Sequence, residues 1–376
     1  MACIAIFLWA HNNARRFHEK YKHSTMAVGE EYLFEADDYT GSRIAPNMSF
    51  HQRLEYSSMT LFTNDRGERC FSCREKATPK PLVLLGDSFV MGSGNDYEDC
   101  FAGILEKEYG LNMANLGVGT FSILQAVRHF ERNVGFHSPK AAVFVYGHWM
   151  VDRAFKDNAF MNGLGKRPVY VRAKRTGKIF VVDPVYAPGT STLRTLHSLR
   201  NGLIGPHRFN IAYVLRHMHL SLIVRRIRFL RKLLGLLRLY RYKLINDHEN
   251  RNEELRARVL RDCIGRMAEV AAKHRCKLLV YHMFEYRCYD ERKAVAAYDD
   301  SVIREVAALH ENVVFDDGSA EHRRFDEYMH REGLTGDYFD VFKLPDDIHH
   351  ARPGNELIAE SLFEVLMAHG MAYRKS

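Results

Sequence analysis

Two short stretches of this 376-residue chain carry residue types and spacings suited to chemistry: Gly86-Asp87-Ser88, and far downstream Asp346-Asp347-Ile348-His349. A serine hydroxyl is a weak nucleophile at its own pKa and needs a base within hydrogen-bond reach. Asp346 and His349, three apart in a loop, can place the carboxylate on one imidazole nitrogen. The other nitrogen then faces the hydroxyl, while the carboxylate fixes the tautomer and stabilises the imidazolium. Either motif alone arises readily by composition; only the combination, in its context, is specific. That context begins with Pro81-Leu-Val-Leu-Leu85, which reads as a buried strand ending at Gly86. Ser88 therefore falls at the carboxyl end of a strand, near the positive end of whatever helix follows.

Other candidates read more blandly. Cys70 and Cys73 form a lone C-x-x-C with no second ligand pair at zinc spacing, so a loop turn is the simpler reading. Seven cysteines are odd and scattered, which leaves at least one thiol unpaired. His217 and His219 stand in a basic segment without carboxylate or cysteine partners and read as surface residues. Asp152-Arg153, after a later strand, suits a local ion pair or a substrate clamp. No H-E-x-x-H, Walker A or G-x-G-x-x-G in strand-to-helix context is present, which argues against metalloproteases, NTPases and dinucleotide enzymes. Neither a metal nor a cofactor is expected.

The elements that must position these residues follow a rhythm. After Pro81–Leu85, helical spacing predicts a helix over Glu98–Tyr109, a strand over Leu111–Leu116, a helix over Ser122–Val134 and a strand over Ala141–Tyr146. The alternation stops for about a hundred residues. It resumes with helix Asn250–His274, strand Lys277–Met283, helix Arg292–His310, strand Asn312–Asp316 and helix Gly354–His369. Short continuous apolar strands alternating with helices predict a parallel sheet covered on both faces. In such sheets the chemistry sits at the carboxyl ends of the strands. Residues 1–80, with turn-like Ile44-Ala-Pro-Asn47 and Thr63-Asn-Asp-Arg-Gly67, read as an irregular cap ahead of an α/β domain spanning 81–376.

The interruption, at about 151–250, is expected to be largely helical. It opens with a hairpin, Pro168–Arg172 and Lys178–Val182 around Thr176-Gly177. From Pro184 to Asn246 there is no acidic residue, and the stretch holds twelve Lys and Arg, against +8 for the whole chain, leaving −4 elsewhere. The basic character belongs to one segment. Its cations, among them Arg225, Arg226, Arg228, Arg231 and Lys232, fall around most of a helical wheel, so a clean in-plane amphipathic helix is not supported. A packed helical insertion with solvated basic edges is the leading reading, with contact to an anionic membrane or polyanion second. A nucleic-acid partner is not expected, because no aromatic stacking pattern accompanies the charge.

Composition excludes broad classes. Hydrophobic residues at 46% with 27% charged are those of a folded chain, not of a disordered one. No run of eighteen apolar residues occurs, which excludes a polytopic membrane protein. Ala2–Ala10 is apolar but too short to span a bilayer. It reads as a short buried segment or as the end of a membrane anchor.

In combination these motifs resemble the SGNH (GDSL) hydrolases. Gly86-Asp87-Ser88 matches the first block and Asp346/His349 the last, in order and context. Asn115-Leu-Gly-Val-Gly119 resembles the second block, continuing into Leu124-Gln125. The Ile44-Pro46-Asn47 and Thr63-Asn64-Gly67 stretches are similar to the leader of bacterial members. The resemblance covers roughly Glu31–Met150 and Lys277–His369. It implies a flavodoxin-like three-layer α/β/α sandwich with a parallel sheet, with Ser88 as nucleophile, His349 as base and Asp346 as its orienter.

Two departures bear on the oxyanion hole. Five residues on from Asn115 stands Thr120 where the family has glycine. Gly147-His148-Trp149-Met150 stands where G-x-N-D is expected, so Trp149 replaces an asparagine donor whose loss can cost on the order of 10²–10³ in turnover. The candidate donors are then the Ser88, Gly119 and Thr120 amides, His148 and the Trp149 indole, although a pocket wall suits Trp149 better. The resemblance implies an ester hydrolase acting on an acylated carbohydrate or lipid. Alternatives are an O-acyltransferase on an envelope polysaccharide and a non-catalytic binding protein. The apolar start and the family's habit favour a membrane-associated or envelope location over the cytoplasm, whereas the odd cysteine count favours a reducing one.

Overall fold

The computed structural model describes residues 33–53 (except 38), 58–156, 167–182 (except 174, 175 and 177), 242–244, 252–283, 289–335, 341–345 and 348–375. Asp346, Ala2–Ala10, His217, His219 and the cations Arg225, Arg226, Arg228, Arg231 and Lys232 lie outside the described residues. The chain divides into two compact units. One comprises 1–43 with 154–250, and the other 44–153 with 251–376.

The larger unit is built on an eight-stranded sheet. Its centre is parallel: β6 (Leu82–Leu85), β7 (Met113–Asn115), β8 (Ala141–Tyr146), β12 (Lys277–His282) and β13 (Val313–Asp316) lie in the order β13-β12-β8-β6-β7. Counted along the chain, these five strands are arranged 2-1-3-4-5, the flavodoxin-like order. The sandwich expected from the sequence is therefore the observed one. β6 and β8 run side by side with Leu85 opposite Phe144. They mark the point where the strand order reverses, which is where open α/β sheets form a crevice beyond the carboxyl ends.

Side-chain alternation along the strands shows why helices must cover both faces. Leu82, Leu84, Ala141, Val143, Val145, Leu279 and Tyr281 face one layer. They pack with α2 (Phe101–Lys107), α7 (Ser319–Arg331) and α8 (Arg352–Ala368) through Phe101, Leu105, Phe325, Ile358 and Leu362. The intervening residues face α3 (Ile123–His137), α5 (Glu253–Lys273) and α6 (Tyr289–Ala308). Tyr146 donates to Asp299 of α6 at 2.5 Å, and Arg256 of α5 donates to the same carboxylate. All four β6 residues are fully buried, as a strand covered on both sides requires.

The stretch before Pro81 differs from the irregular cap expected of it. β3 (Ser49–Arg53), β4 (Ser58–Thr63) and β5 (Arg69–Cys70) extend the sheet in antiparallel fashion beyond β7. Alternate residues of β4, Met59, Leu61 and Thr63, are buried, so one face is half-covered and the period is two. Cys70 and Cys73 stand where β5 runs into a turn. The Cys70 thiol reaches the Ser72 carbonyl at 3.2 Å, and burial pushes its pKa up to about 12.

In the smaller unit, β1 (Phe34–Asp37) pairs with β2 (Gly41–Ile44), which reaches the boundary of the unit. Asp37 Oδ1 accepts from the Tyr39 and Thr40 amides in the connecting turn. The expected hairpin is present as β9 (Val169–Ala173) against β10 (Ile179–Val182), with Arg172 opposite Ile179. A third strand, β11 (Tyr242–Leu244), adds to β9, and it falls inside the stretch expected to be helical. No helix among the described residues is long and apolar enough to cross a membrane.

Candidate active site

β6 ends at Leu85, and no residue larger than glycine fits at Gly86, which follows it. A Cβ at this position would lie 2.4 Å from Val90 Cγ2 and 3.1 Å from the Val145 carbonyl oxygen. The chain turns at once into α1 (Ser88–Met91), with Asp87 as its N-cap, accepting from the Phe89 amide at 3.1 Å. Ser88 is the first helical residue, 8% exposed. Its amide is one of those that a helix N-terminus leaves without an intrahelical acceptor.

The helix is a single turn because it is stopped on purpose-built contacts. Gly92 takes φ +75°, and the buried Arg69 of β5 donates to the carbonyls of Met91, Gly92 and Asn95. A leader strand thus holds the end of the turn that bears Ser88. Sequence reading missed Arg69, since no local pattern links it to a loop twenty residues on.

The loop after β7 is fastened to the same turn. Asn115 Nδ2 donates to the Val90 carbonyl at 2.8 Å, and its Oδ1 accepts from the Gly117 amide at 2.9 Å. Gly117 packs so closely that a Cβ would sit 2.3 Å from the Met91 nitrogen. The Leu116 amide donates to Leu84 and the Val118 amide to Gly86. Gly119 is buried and Thr120 half-buried. Thr120 has φ +66°, the left-handed region that a β-branched residue rarely enters. α3 starts three residues later, capped by Ser122 and Gln125 in a reciprocal box.

β8 ends at Tyr146 and leads into α4 (Trp149–Arg153). The Trp149 indole N–H donates to Asp87 Oδ2 at 2.7 Å, and Arg153 donates to the same oxygen at 2.6 Å. The indole is thus engaged with the residue before Ser88 and is not an oxyanion donor in this geometry. His148 is 3% exposed, its carbonyl accepts from Arg256, and its ring lies edge-on to Trp149 at 5.4 Å. Of the two readings of Asp152 and Arg153, the local ion pair does not form. Asp152 pairs with Arg256, and Arg153 with Asp87.

His349 comes from the opposite end of the chain. Its carbonyl accepts from the Leu344 amide at 2.8 Å, and Ala351 donates to Phe342. The His350 carbonyl accepts from Asn95 at 2.9 Å and from Asn355 at 3.0 Å. Asn95 thereby ties the histidine turn to the loop that follows α1. The His349 ring lies 4.9 Å from that of Phe89, the residue after Ser88, and Phe89 meets Trp149 at 5.4 Å on its other approach. His350 is buried, and burial, with the neighbouring His349 second, pushes its pKa down to about 3. Asn95, Asn355 and His350 carry no signal in the sequence that marks them as supports.

Ser88, Asp87, the Gly119-Thr120 loop, His148, Trp149 and His349 are therefore gathered beyond the carboxyl ends of β6, β7 and β8. Ser88 opens a helix there, and the His349 ring packs on the neighbouring Phe89.

No family model and no curated protein matches the chain. Among solved structures it is similar to TesA, with a TM-score of 0.38 and 13% identity, over 76% of this chain and 98% of that one. It is similar to a catalytic mutant of Axe2, an acetylxylan esterase from Geobacillus stearothermophilus (TM-score 0.37, 12% identity, 80% of this chain and 98% of that one). A GDSL-like lipase from Bacteroides thetaiotaomicron gives 0.36 and 11% identity, over 77% of this chain and 89% of that one. The last of these is described as GDSL-like.

Proposed function

We propose that the chain is a serine-dependent hydrolase of an O-acyl ester, acting through an acyl-enzyme. Ser88 Oγ attacks the ester carbonyl while His349 takes its proton, and Asp346 holds the imidazole in the tautomer that does so. The carbonyl oxygen becomes an oxyanion, which the Ser88 and Thr120 amides receive. His349 then returns the proton to the departing alcohol. Water, deprotonated by His349, attacks the acyl carbon, and collapse of the second intermediate releases the acid and restores Ser88.

The observation that carries this reading is the position of Ser88. It opens a helix at the reversal point of a 2-1-3-4-5 sheet, with His349 packed on the adjacent Phe89. Open α/β sheets bind ligands beyond that point, and a helix N-terminus favours negative charge beside it. An acylated carbohydrate or lipid is the substrate class that the family resemblance suggests.

The test is Ser88→Ala, with short p-nitrophenyl esters as substrates and a fluorophosphonate as covalent probe. The wild-type chain should label once at Ser88, and the variant should lose labelling and at least roughly a thousandfold in kcat/KM. Hydrolysis unchanged in Ser88→Ala would remove the serine from the mechanism.

A further inference from the structure

We propose that Trp149 and Arg153 form a positioning clamp on Asp87, so that the block after β8 acts on the nucleophile turn rather than on the oxyanion. The inference rests on the esterase reading above and deepens it.

The two oxygens of Asp87 have separate tasks. Oδ1 caps α1 through the Phe89 amide, while Oδ2 takes both the Trp149 indole and the Arg153 guanidinium. The Asp87 side chain is 3% exposed and that of Arg153 25%. A carboxylate buried to that degree is costly unless its charge is answered and its lone pairs are filled, and here both conditions are met from one helix. Trp149 and Arg153 are four apart on α4 and so share a face.

Two further details show that the arrangement is specific. The Trp149 ring lies over Gly147, where any Cβ would sit 2.3 Å from ring carbons. Glycine at 147 is thus a condition of the indole reaching Asp87. Arg153 also donates to the Phe121 carbonyl at 3.2 Å, which fastens the Gly119-Thr120 loop to the same carboxylate. One guanidinium therefore joins the turn bearing the hydroxyl to the loop bearing the amide donors. The asparagine that this block lacks is replaced by a residue that spends its single N–H on orientation. Release of Asp87 would uncap α1 and let Ser88 and Phe89 move together, and a displacement of about 1 Å can cost about 100-fold in rate.

The experiment uses the full chain in a Trp9→Phe background, where Trp149 is the remaining tryptophan. Arg153→Met and Trp149→Phe should slow fluorophosphonate labelling of Ser88 and kcat on p-nitrophenyl butyrate by about 10- to 100-fold, with KM within twofold. Arg153→Lys, which keeps the charge and covers the case that Arg153→Met does not fold, should recover most of that loss. Asp87→Asn should shift the Trp149 emission. Labelling at the parental rate in Arg153→Met, or emission unchanged in Asp87→Asn, overturns the clamp. If the parent neither labels nor hydrolyses, the esterase reading fails separately. Trp149 emission in Asp87→Asn and Arg153→Met then decides the clamp alone, a shift in both supporting it and no shift overturning it.

Discussion

Thr120 carries the clearest local cost near Ser88. At φ +66° its β-branched side chain crowds its own backbone, a conformation that costs about 1–2 kcal/mol for a non-glycine residue. Glycine would remove that strain while giving the unfolded chain extra freedom worth about 0.5–1 kcal/mol. Thr120→Gly should therefore raise stability by up to about 1 kcal/mol, read as a higher urea midpoint; a lower midpoint would show that the threonine side chain offsets its own strain. His350 gives a prediction in pH. Folding lowers its pKa from 6.5 to about 3, through burial first. Below about pH 6.5 the unfolded chain binds a proton that the folded one refuses, so stability falls on acidification, by up to about 1.4 kcal/mol per pH unit. His350→Asn should flatten the stability profile between pH 6.5 and 5, where ordinary carboxylates contribute little. Equal slopes in the two proteins would contradict the burial argument. At this scale the sequence was partly legible. Gly86-Asp87-Ser88 announced its strand end, but the bond from Trp149 to Asp87 depends on a tertiary approach that no spacing encodes.

Among the elements, α1 is shaped by its neighbours rather than by its four residues. Asn115 fastens it from β7 and Arg69 from β5. Asn115→Ala would leave the buried Val90 carbonyl and Gly117 amide without these partners, at a cost of about 1–3 kcal/mol each. The expected result is a loss of at least about 2 kcal/mol by denaturant unfolding, together with faster amide exchange at Gly117. A loss below 0.5 kcal/mol, as at an ordinary surface position, would mean that water takes over both bonds. The strands and longer helices of the parallel layer were legible, because continuous apolar runs and 3.6-residue spacing persist over whole elements. Ala141–Tyr146 was read to the residue, and Lys277–His282 to within one. α7 was not seen, since Phe325 and Met329 are its sole buried apolar positions among polar neighbours. The leader strands escaped for a related reason: β5 is two residues long, and β4 carries three apolar residues, the last two adjacent, among serine and threonines.

For the molecule as a whole, those leader strands belong to the main sheet rather than to a cap. β5 pairs with β7, so the edge that the parallel layer would otherwise end on is covered. Unpaired edges invite pairing with other chains. A chain starting at Pro81 should therefore aggregate more on expression than the chain that keeps β3–β5, and lose slow amide exchange in β7. A monodisperse, folded truncation would show that β7 tolerates exposure. Sequence reading placed this boundary at Pro81 because turn residues precede it. The pairing that overrides the boundary is long-range, and nothing local in Arg69-Cys70 signals it.

The weave of early strands into a late sheet also bears on how the chain is made. β3 and β4 can zip together as soon as both have left the ribosome, but they have nothing to dock on until Asn115 emerges. β8 then closes against β6 and stands open along its far side until the stretch up to Lys277 has been translated. For all that time a nascent chain exhibits a bare row of peptide groups on an apolar ribbon, the kind of surface that chaperones guard. The strand that borders Ser88 in the finished fold is thus the one longest at risk while the fold is being born.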